Sequence, residues 1–232
     1  GGYSSFQFDV TPFLNQDTPN ELYVKVNNEN KDVAPLMGDF TIWGGIYRNV
    51  WLVSTDQIYL KSNEYNGQEV LVTTPKVTSE TAVVKTEMTV VNKSNQTKKI
   101  WVRTTIKNKE GSVVAKNSKK ITVSKNSEIS FTPNQLEIAS PELWSPDSPV
   151  LYRVDTELLE TNGGLIDKKS VNIGFRWYRF DPEKGFFLNG KPLKLIGVNR
   201  HQDFEGLGNA LTDDFHYKDM QLIKNMGANY IR

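Results

Sequence analysis

Cysteine is absent from this sequence, and histidine occurs only twice. Without thiols, the chain cannot form disulfides, thiolate zinc sites, iron–sulfur centres or a cysteine nucleophile. Two histidines are also too few for a metal site rich in imidazole. Long apolar runs are lacking, because no stretch approaches the roughly 18 residues of a membrane span. We therefore expect no membrane partner. Gly1-Gly2-Tyr3 does not resemble a signal peptide. The compartment is left open between bacterial periplasm and cytoplasm.

An excess of either charge is lacking too. The 232 residues include 28 lysines and arginines against 27 aspartates and glutamates, a formal net charge of +1. Net charge therefore gives no electrostatic reason to expect nucleic acid or an anionic membrane as the main partner. Apolar residues make up 38% and charged residues 24%, which predicts a folded, soluble chain of one large domain or two ordinary ones.

Most of the chain alternates apolar and polar residues with a period of two, in short runs rich in valine, isoleucine and threonine. This pattern predicts a mainly β protein. The predicted strands are Glu21 to Val26, Val50 to Ser54, Val70 to Thr74, Ala82 to Val91, Ile100 to Ile106, Glu128 to Phe131, Val150 to Leu159 and Lys168 to Gly174. The Lys-rich stretch from Lys116 to Lys125 alternates with Ile121 and Val123 and indicates a solvated strand face.

Shifts in composition divide the chain into three pieces. Residues 1–57 are dense in glycine and aromatic residues, and residues 58–174 hold about seven strands, which suits an immunoglobulin-like β-sandwich. Residues 175–232 change pattern and predict the opening of an α/β unit. Its elements are a hairpin over Phe186 to Pro192, a strand over Leu193 to Val198, a helix, and a strand over Ala228 to Ile231.

The predicted helix runs from about Asp213 to Met226. Thr212 can cap its amino end, Asp213 and Asp214 place negative charge at the positive end of the helix dipole, and Gly227 suits the left-handed position after the last turn. Residues 175–232 are 58 in number, whereas a closed (β/α)₈ barrel needs about 250 residues. We therefore expect the chain to be cut inside a domain, and its abrupt strand-like opening suggests a cut at the start as well.

Three segments, in order, resemble one family of glycosidases. The first is GGYSSFQFDVTPFLN followed by NELYVKVNN, the second is DFTIWGGIYRNVWL, and the third is GFFLNGKPLKLIGVNRHQDFEGLGNAL, with KNMGANYIR closing the chain. Together they resemble glycoside hydrolase family 2, the β-galactosidase and β-glucuronidase group. The resemblance implies the end of a jelly-roll sugar-binding domain, a complete immunoglobulin-like sandwich and the truncated start of a TIM-barrel catalytic domain.

The resemblance also implies an activity. Members of this family are retaining exo-glycosidases, which need a pair of carboxyl groups about 5 to 5.5 Å apart. In this family both carboxyl groups belong to glutamates on later barrel strands. We therefore expect the nucleophile and the acid/base residue to lie beyond Arg232. Residues 1–232 alone should then show no hydrolysis. No cofactor is expected in this span, although the full-length enzyme could use a divalent or monovalent metal ion. An oligomer is left open.

Five residues are singled out by the resemblance. His201, in Asn199-Arg200-His201, matches a position that binds sugar and stabilises the transition state, and Asp39 matches a jelly-roll carboxylate that reaches the sugar in some members. Asn199 is a third, weaker candidate for substrate binding. Arg200 and Arg48 are expected to be structural, Arg48 as an ion-pair or stacking residue between domains. Taken without its motif, a histidine after a strand is more often a loop residue, and Asp39 could simply cap a turn.

The expected substrate is a terminal β-galactoside, with β-glucuronide or β-mannoside as alternatives in the same family. A non-catalytic carbohydrate-binding sandwich and a structural spacer are the alternatives of other classes. Tryptophans could stack on sugar rings, but packing is the commoner role of such residues. We expect packing at Trp51, Trp101, Trp144 and Trp177, whereas Trp43 sits in a glycine-flanked segment and is assigned no role.

Overall fold

The computed structural model describes residues 5–27, 43–63 and 67–232. The chain divides into two compact units. The sandwich unit comprises residues 53–194, and the strand–helix unit comprises residues 1–52 together with residues 195–232. Among the described residues, no helix combines the length and apolar character that a membrane crossing needs.

The sandwich unit is built from two main antiparallel sheets. The five-stranded sheet contains β1 (Ile58–Leu60), β2 (Val70–Val77), β3 (Thr81–Asn92), β6 (Ser127–Phe131) and β7 (Leu136–Ala139). The four-stranded sheet has the order β5-β4-β8-β9 and contains β4 (Lys98–Lys107), β5 (Val113–Val123), β8 (Tyr152–Leu159) and β9 (Leu165–Ile173). A smaller sheet follows, with strands β10 (Tyr178–Asp181), β11 (Gly185–Leu188) and β12 (Lys191–Pro192).

Strand β3 is the centre of the five-stranded sheet. Met88 pairs with Val70 of β2 and with Phe131 of β6, so these two strands lie on opposite sides of β3. β1 pairs with β3 on the same side as β2, and β7 pairs with β3 on the same side as β6. The predicted hairpin is confirmed between β11 and β12. Its turn residues Asn189 and Gly190 both have positive φ, as a two-residue type I′ turn requires.

Alternate residues of the long strands face the opposite sheet and form the core. One cluster of buried residues contains Ile58, Leu60, Val70, Met88, Val90, Ile100, Val102, Ile121, Val123 and Leu158. The second contains Ala82, Val84, Ile106, Leu136, Ile138, Tyr152, Val154 and Phe175. Both clusters draw on both sheets, so each sheet covers the apolar face of the other.

A layer of threonines separates the two clusters. Thr104 and Thr156 lie opposite each other on β4 and β8, and Thr86 occupies the corresponding level of β3. All three are buried, and the hydroxyl oxygens of Thr104 and Thr156 have no hydrogen-bond partner within the described protein. Val72 pairs with Thr86 and packs against both clusters. The core is therefore two apolar halves with hydroxyl groups between them.

Asp155 is buried on the outer face of the four-stranded sheet, where four polar groups surround its carboxylate. Arg153 Nε and Ser170 Oγ each lie 2.7 Å from its Oδ1, while the Nζ atoms of Lys107 and Lys168 lie 3.2 Å and 3.5 Å from its Oδ2. Burial alone would raise the pKa of Asp155, but these hydrogen bonds and charges outweigh it and hold the pKa far below its ordinary value.

The strand–helix unit contains a parallel pair of short strands joined by a helix. Strand β13 (Gly197–Val198) pairs with β14 (Tyr230–Ile231), and helix α1 (Asp213–Asn225) lies between them in sequence. Gly227, after the helix, has φ +90°, which agrees with the predicted left-handed position. Within the described residues the parallel strands number two and form no closed barrel.

The predicted fold class, mainly β with an immunoglobulin-like sandwich and the opening of an α/β unit, is confirmed. The expected strands over Glu21 to Val26 and Val50 to Ser54 are wrong, because neither segment pairs with a neighbouring strand. Trp51 was expected to pack and is instead 77% exposed. Trp144 does pack, with the guanidinium of Arg176 4.6 Å from its ring centre.

We expect Asp155→Asn to lower the free energy of unfolding at pH 7 by about 2 to 3 kcal/mol, because surrounding cations lose their charged partner. A carboxylate whose pKa is lowered by folding contributes stability above its unfolded pKa of about 3.9, and this contribution disappears as the pH falls further. The variant should therefore lose less stability than wild type between pH 5 and pH 2. Urea unfolding across this range tests the expectation.

Glu87→Gln is the matched control, because Glu87 forms an exposed pair with Lys85 on the outer face of the other sheet. Exposed pairs contribute about 0 to 1 kcal/mol, so this variant should follow the wild-type pH profile. Identical profiles for Asp155→Asn and wild type would contradict the role assigned to Asp155.

We expect Thr104→Val to raise the melting temperature. The change keeps the shape of the side chain and replaces a buried hydroxyl that has no partner within the described protein, so about 1 kcal/mol should be gained. Thr89→Val is the control, because the Thr89 hydroxyl lies 3.3 Å from that of Ser130 and its loss should not stabilise. A lower melting temperature for Thr104→Val in calorimetry would show that its hydroxyl is satisfied.

Candidate functional site

The candidate site lies where β13 ends in the strand–helix unit. The amide of Arg200 donates to the carbonyl of Arg232 at 3.1 Å, and the amide of Arg232 donates to Val198 at 3.0 Å, so the parallel pairing continues past the strand end. Asn199 and His201 therefore follow the carboxyl end of a parallel strand, which is where ligands bind in α/β sheets.

The glycine that begins β13 is required by packing. A Cβ atom at Gly197 would lie 2.8 Å from Cδ1 of Tyr230, closer than two carbon atoms can approach. Glycine therefore leaves room for the Tyr230 ring where it lies against β13. This explains why the Gly-Val-Asn-Arg-His segment begins with glycine, independently of any function.

Arg200 connects the strand end to helix α1. Its Nε and Nη2 atoms donate to Oδ2 of Asp219 at 2.9 Å and 2.6 Å, and its Nη1 lies 3.0 Å from Nδ1 of His216. A guanidinium can only donate, so Nδ1 of His216 accepts this hydrogen bond. Within the described part of the chain, the Arg200 side chain thus contacts helix α1, and the structural role that the resemblance implies for it stays a prediction.

The segment containing Arg48 reaches the residue next to His201. Nη2 of Arg48 donates to Oε1 of Gln202 at 3.0 Å, and its guanidinium lies 5.5 Å from the centre of the Tyr47 ring. The sequence suggested an ion pair or stacking for Arg48. Among the described residues its polar partner is a neutral amide, so this bond fixes the position of Arg48 without placing an opposite charge beside it. The separation of 154 residues explains why no local pattern could reveal this pair.

His201 and Asn199 are both exposed at the strand end. The structure thus places His201 between a residue held by the helix, Arg200, and a residue held by Arg48, Gln202. An exposed imidazole in this position can donate one hydrogen bond and accept another. Asp39 lies outside the described residues, so its expected contact with sugar stays a prediction.

Trp43 provides a second contact to the loop after β13. A Cβ atom at Gly208 would lie 2.9 Å from Cδ2 of the Trp43 indole, so the ring packs directly on the glycine backbone. Gly208 is buried and has φ +56°. Sequence reasoning left Trp43 unplaced, and the clustered glycines of Gly206-Leu207-Gly208 are the signal that could have indicated a close approach there.

The loop is also held by its own contacts. Phe204 and Gly208 form an isolated antiparallel bridge, and the rings of Phe204 and Phe215 lie 5.0 Å apart. Phe215 belongs to α1, so the loop and the helix are fixed together. Among the described residues, no group of three or more histidines, aspartates and glutamates is arranged to hold a metal ion.

Comparison with known proteins identifies relatives across the whole chain. The family model for glycosyl hydrolases family 2 matches residues 68–176, and the model for the TIM barrel domain of the same family matches residues 182–232. A β-glucuronidase of Bacteroides fragilis is 36% identical over all of this chain, which covers 33% of that protein. A β-galactosidase of Bacteroides ovatus is 35% identical, and the chain covers 26% of it.

A solved structure shows the same similarity in three dimensions. Bacteroides uniformis β-glucuronidase 2, covalently bound to cyclophellitol-6-carboxylate aziridine, aligns with a TM-score of 0.91 and 41% sequence identity. The alignment covers 97% of this chain and 27% of that protein. The chain thus spans about a quarter to a third of the length of these relatives.

We expect Arg200→Lys to loosen helix α1, because a lysine ammonium cannot bind Asp219 and His216 together. The expected loss is about 1 to 2 kcal/mol, seen as faster hydrogen exchange of the α1 amides. Lys218→Gln, an exposed position on the same helix, is the control. Equal exchange rates in Arg200→Lys and wild type would show that the guanidinium does not hold the helix.

Proposed function

Since the chain belongs to family 2 of the glycosyl hydrolases, we propose that it forms part of a retaining exo-acting β-glycosidase. In this proposal a glutamate nucleophile attacks the anomeric carbon and a second glutamate protonates the leaving oxygen. Water then hydrolyses the covalent glycosyl–enzyme, with retention of configuration. Neither glutamate is assigned to residues 1–232.

The observation that carries the proposal is the position of His201. It is an exposed imidazole at the carboxyl end of a parallel strand, beside residues fixed by Arg48 and by helix α1. A neutral imidazole held there can bond sugar hydroxyls and stabilise charge that develops in the transition state. We assign substrate binding to His201, with Asn199 and Asp39 as further candidates, and a positioning role to Arg200 and Arg48.

The sandwich unit is assigned a scaffold role in the same proposal. Its carboxylates with lowered pKa, Asp155 and Glu157, are each held by cationic side chains on one sheet face. Such pairing keeps both groups ionised, whereas a catalytic acid must carry a proton near neutral pH. These two carboxylates are therefore structural and do not form the catalytic pair.

The substrate is a terminal β-linked sugar of one of two kinds. The sequence resemblance favours a β-galactoside. Relatives named β-glucuronidase support a β-glucuronide equally. One β-glucuronidase relative is covalently bound to cyclophellitol-6-carboxylate aziridine, a compound named as a carboxylate. A covalent adduct in a relative also agrees with the double-displacement mechanism proposed for this chain.

The test uses the full-length protein that contains this chain. We expect it to hydrolyse either 4-nitrophenyl β-D-glucuronide or 4-nitrophenyl β-D-galactoside, and proton NMR should show the β-anomer as the first product. His201→Ala should lower kcat/KM for the preferred substrate by about 10- to 100-fold, as expected for one lost hydrogen bond to a group that becomes charged in the transition state. The 232 residues alone should show no hydrolysis.

His216→Gln is the matched control, because it removes the other histidine, which contacts Arg200 from the helix. It should reduce thermal stability more than kcat/KM. An inverted first product would refute the retaining mechanism. Saturable sugar binding by the 232 residues without any hydrolysis by the full-length protein would favour a carbohydrate-binding module instead.

A further inference from the structure

The outer face of the four-stranded sheet concentrates positive charge. Directly opposed residues share a face of an antiparallel sheet, so the pairings place outward side chains in four rows across β5, β4, β8 and β9. We call these rows the basic face. Its carboxylates are Asp155 and Glu157, and its cations are Arg103, Lys107, Lys116, Lys120, Arg153 and Lys168. Six cations and two anions give this face a net charge of +4.

The carboxylates lie beneath the cations. The side chains of Asp155 and Glu157 are 2% and 14% exposed, whereas those of Lys168 and Arg153 are 33% and 55% exposed. Lys116 and Lys120 are exposed on the edge strand β5. A ligand approaching this face therefore meets ammonium and guanidinium groups first, and the acidic groups serve to hold them in place.

The near-zero net charge of the sequence hides this separation. Residues 53–194 contain 21 lysines and arginines against 16 aspartates and glutamates, while the remaining residues contain 7 against 11. The outer face of the five-stranded sheet is mixed, since Lys85 pairs with Glu87 and Glu128 accepts a salt bridge from Lys61. The basic face therefore carries a concentration of positive charge that the outer face of the five-stranded sheet does not share.

The spacing of the cations suits an extended chain of anionic groups. Neighbouring strands lie about 4.8 Å apart, and same-face residues along one strand lie about 6.8 Å apart. The row at one end of the face also contains Trp101, with Lys120 5.8 Å from its ring centre, and the exposed Leu165. An indole ring offers a flat apolar surface of the kind on which the faces of sugar rings can lie.

We propose that the basic face binds an anionic polysaccharide that carries carboxylate or sulfate groups. This inference rests on the proposed function, because it takes the bound chain to be the one whose terminal sugar the enzyme removes. Charge complementarity is the attraction, and the flat sheet favours an extended glycan. Duplex DNA is less suitable, since the face presents no helix or β-ribbon that could enter a groove.

The experiment measures binding by the full-length protein to three glycan probes and to duplex DNA at two salt concentrations. Heparin carries sulfate and carboxylate groups, polygalacturonate carries carboxylates alone, and dextran is neutral. We expect binding to heparin or polygalacturonate with a Kd that rises at least tenfold between 50 and 200 mM NaCl, and none to dextran. Whichever of the two probes binds more tightly identifies the preferred anionic group.

The informative variant is Lys116→Glu/Lys120→Glu. Both lysines are exposed and lie outside the Asp155 ion-pair network, so the change should leave the fold intact. We expect it to weaken binding at least tenfold. The control is Lys76→Glu/Lys93→Glu, two exposed positions away from the basic face with the same change in net charge, and it should bind as wild type.

Equal loss in the control and the informative variant would overturn the proposal, because total charge would then explain the binding. Unchanged binding by Lys116→Glu/Lys120→Glu would overturn it as well, as would duplex DNA binding as tightly as the glycans at the same salt. Hydrolysis of a small nitrophenyl glycoside separates the two hypotheses. If wild type hydrolyses it without binding either glycan, only the basic-face proposal fails, and if it never hydrolyses, the proposed function fails.

Discussion

The alternation of side chains along β4 and β8 is the constraint on which the sandwich depends. Each residue that faces the opposite sheet must be apolar or must hide its polar group, and each neighbour in sequence then faces outward. One series supplies Ile100, Val102, Val154 and Leu158 to the core. The other series supplies Arg103, Lys107, Asp155 and Glu157 to the outer face. The same alternation of side chains therefore produces both the apolar core and the charged outer surface.

In the strand–helix unit, neighbouring residues also have different tasks. Arg200 contacts Asp219 and His216 on the helix, whereas the next residue, His201, is exposed at the strand end. Gln202 is in turn held by Arg48. A ligand-binding side chain flanked by two fixed neighbours loses less conformational freedom when it binds, which is the physical benefit of this arrangement.

Local patterns predicted much of the fold and little of the site. The long strands were predictable because each carries its own period, and helix α1 because of its acidic first turn and the glycine after its last turn. Thr212 precedes the helix as expected, but its side chain forms no capping hydrogen bond. The short strands β1 and β7 have too few residues to show a period. Contacts such as Arg48 with Gln202, and the sum of charges on one sheet face, depend on which strands and segments lie together. That information is not contained in any single stretch of sequence.

The threonine layer has a consequence for how the sandwich can vary. A void made in one apolar half is bounded on one side by hydroxyl groups, so hydrocarbon from the other half cannot shift to refill it. Within the described part of the chain, Val72 is the partly buried side chain that packs against both halves. A change of side-chain volume in one apolar half therefore requires little adjustment of the packing in the other half. During evolution, residues in the two halves can be substituted independently, provided that each substitution fits the packing of its own half.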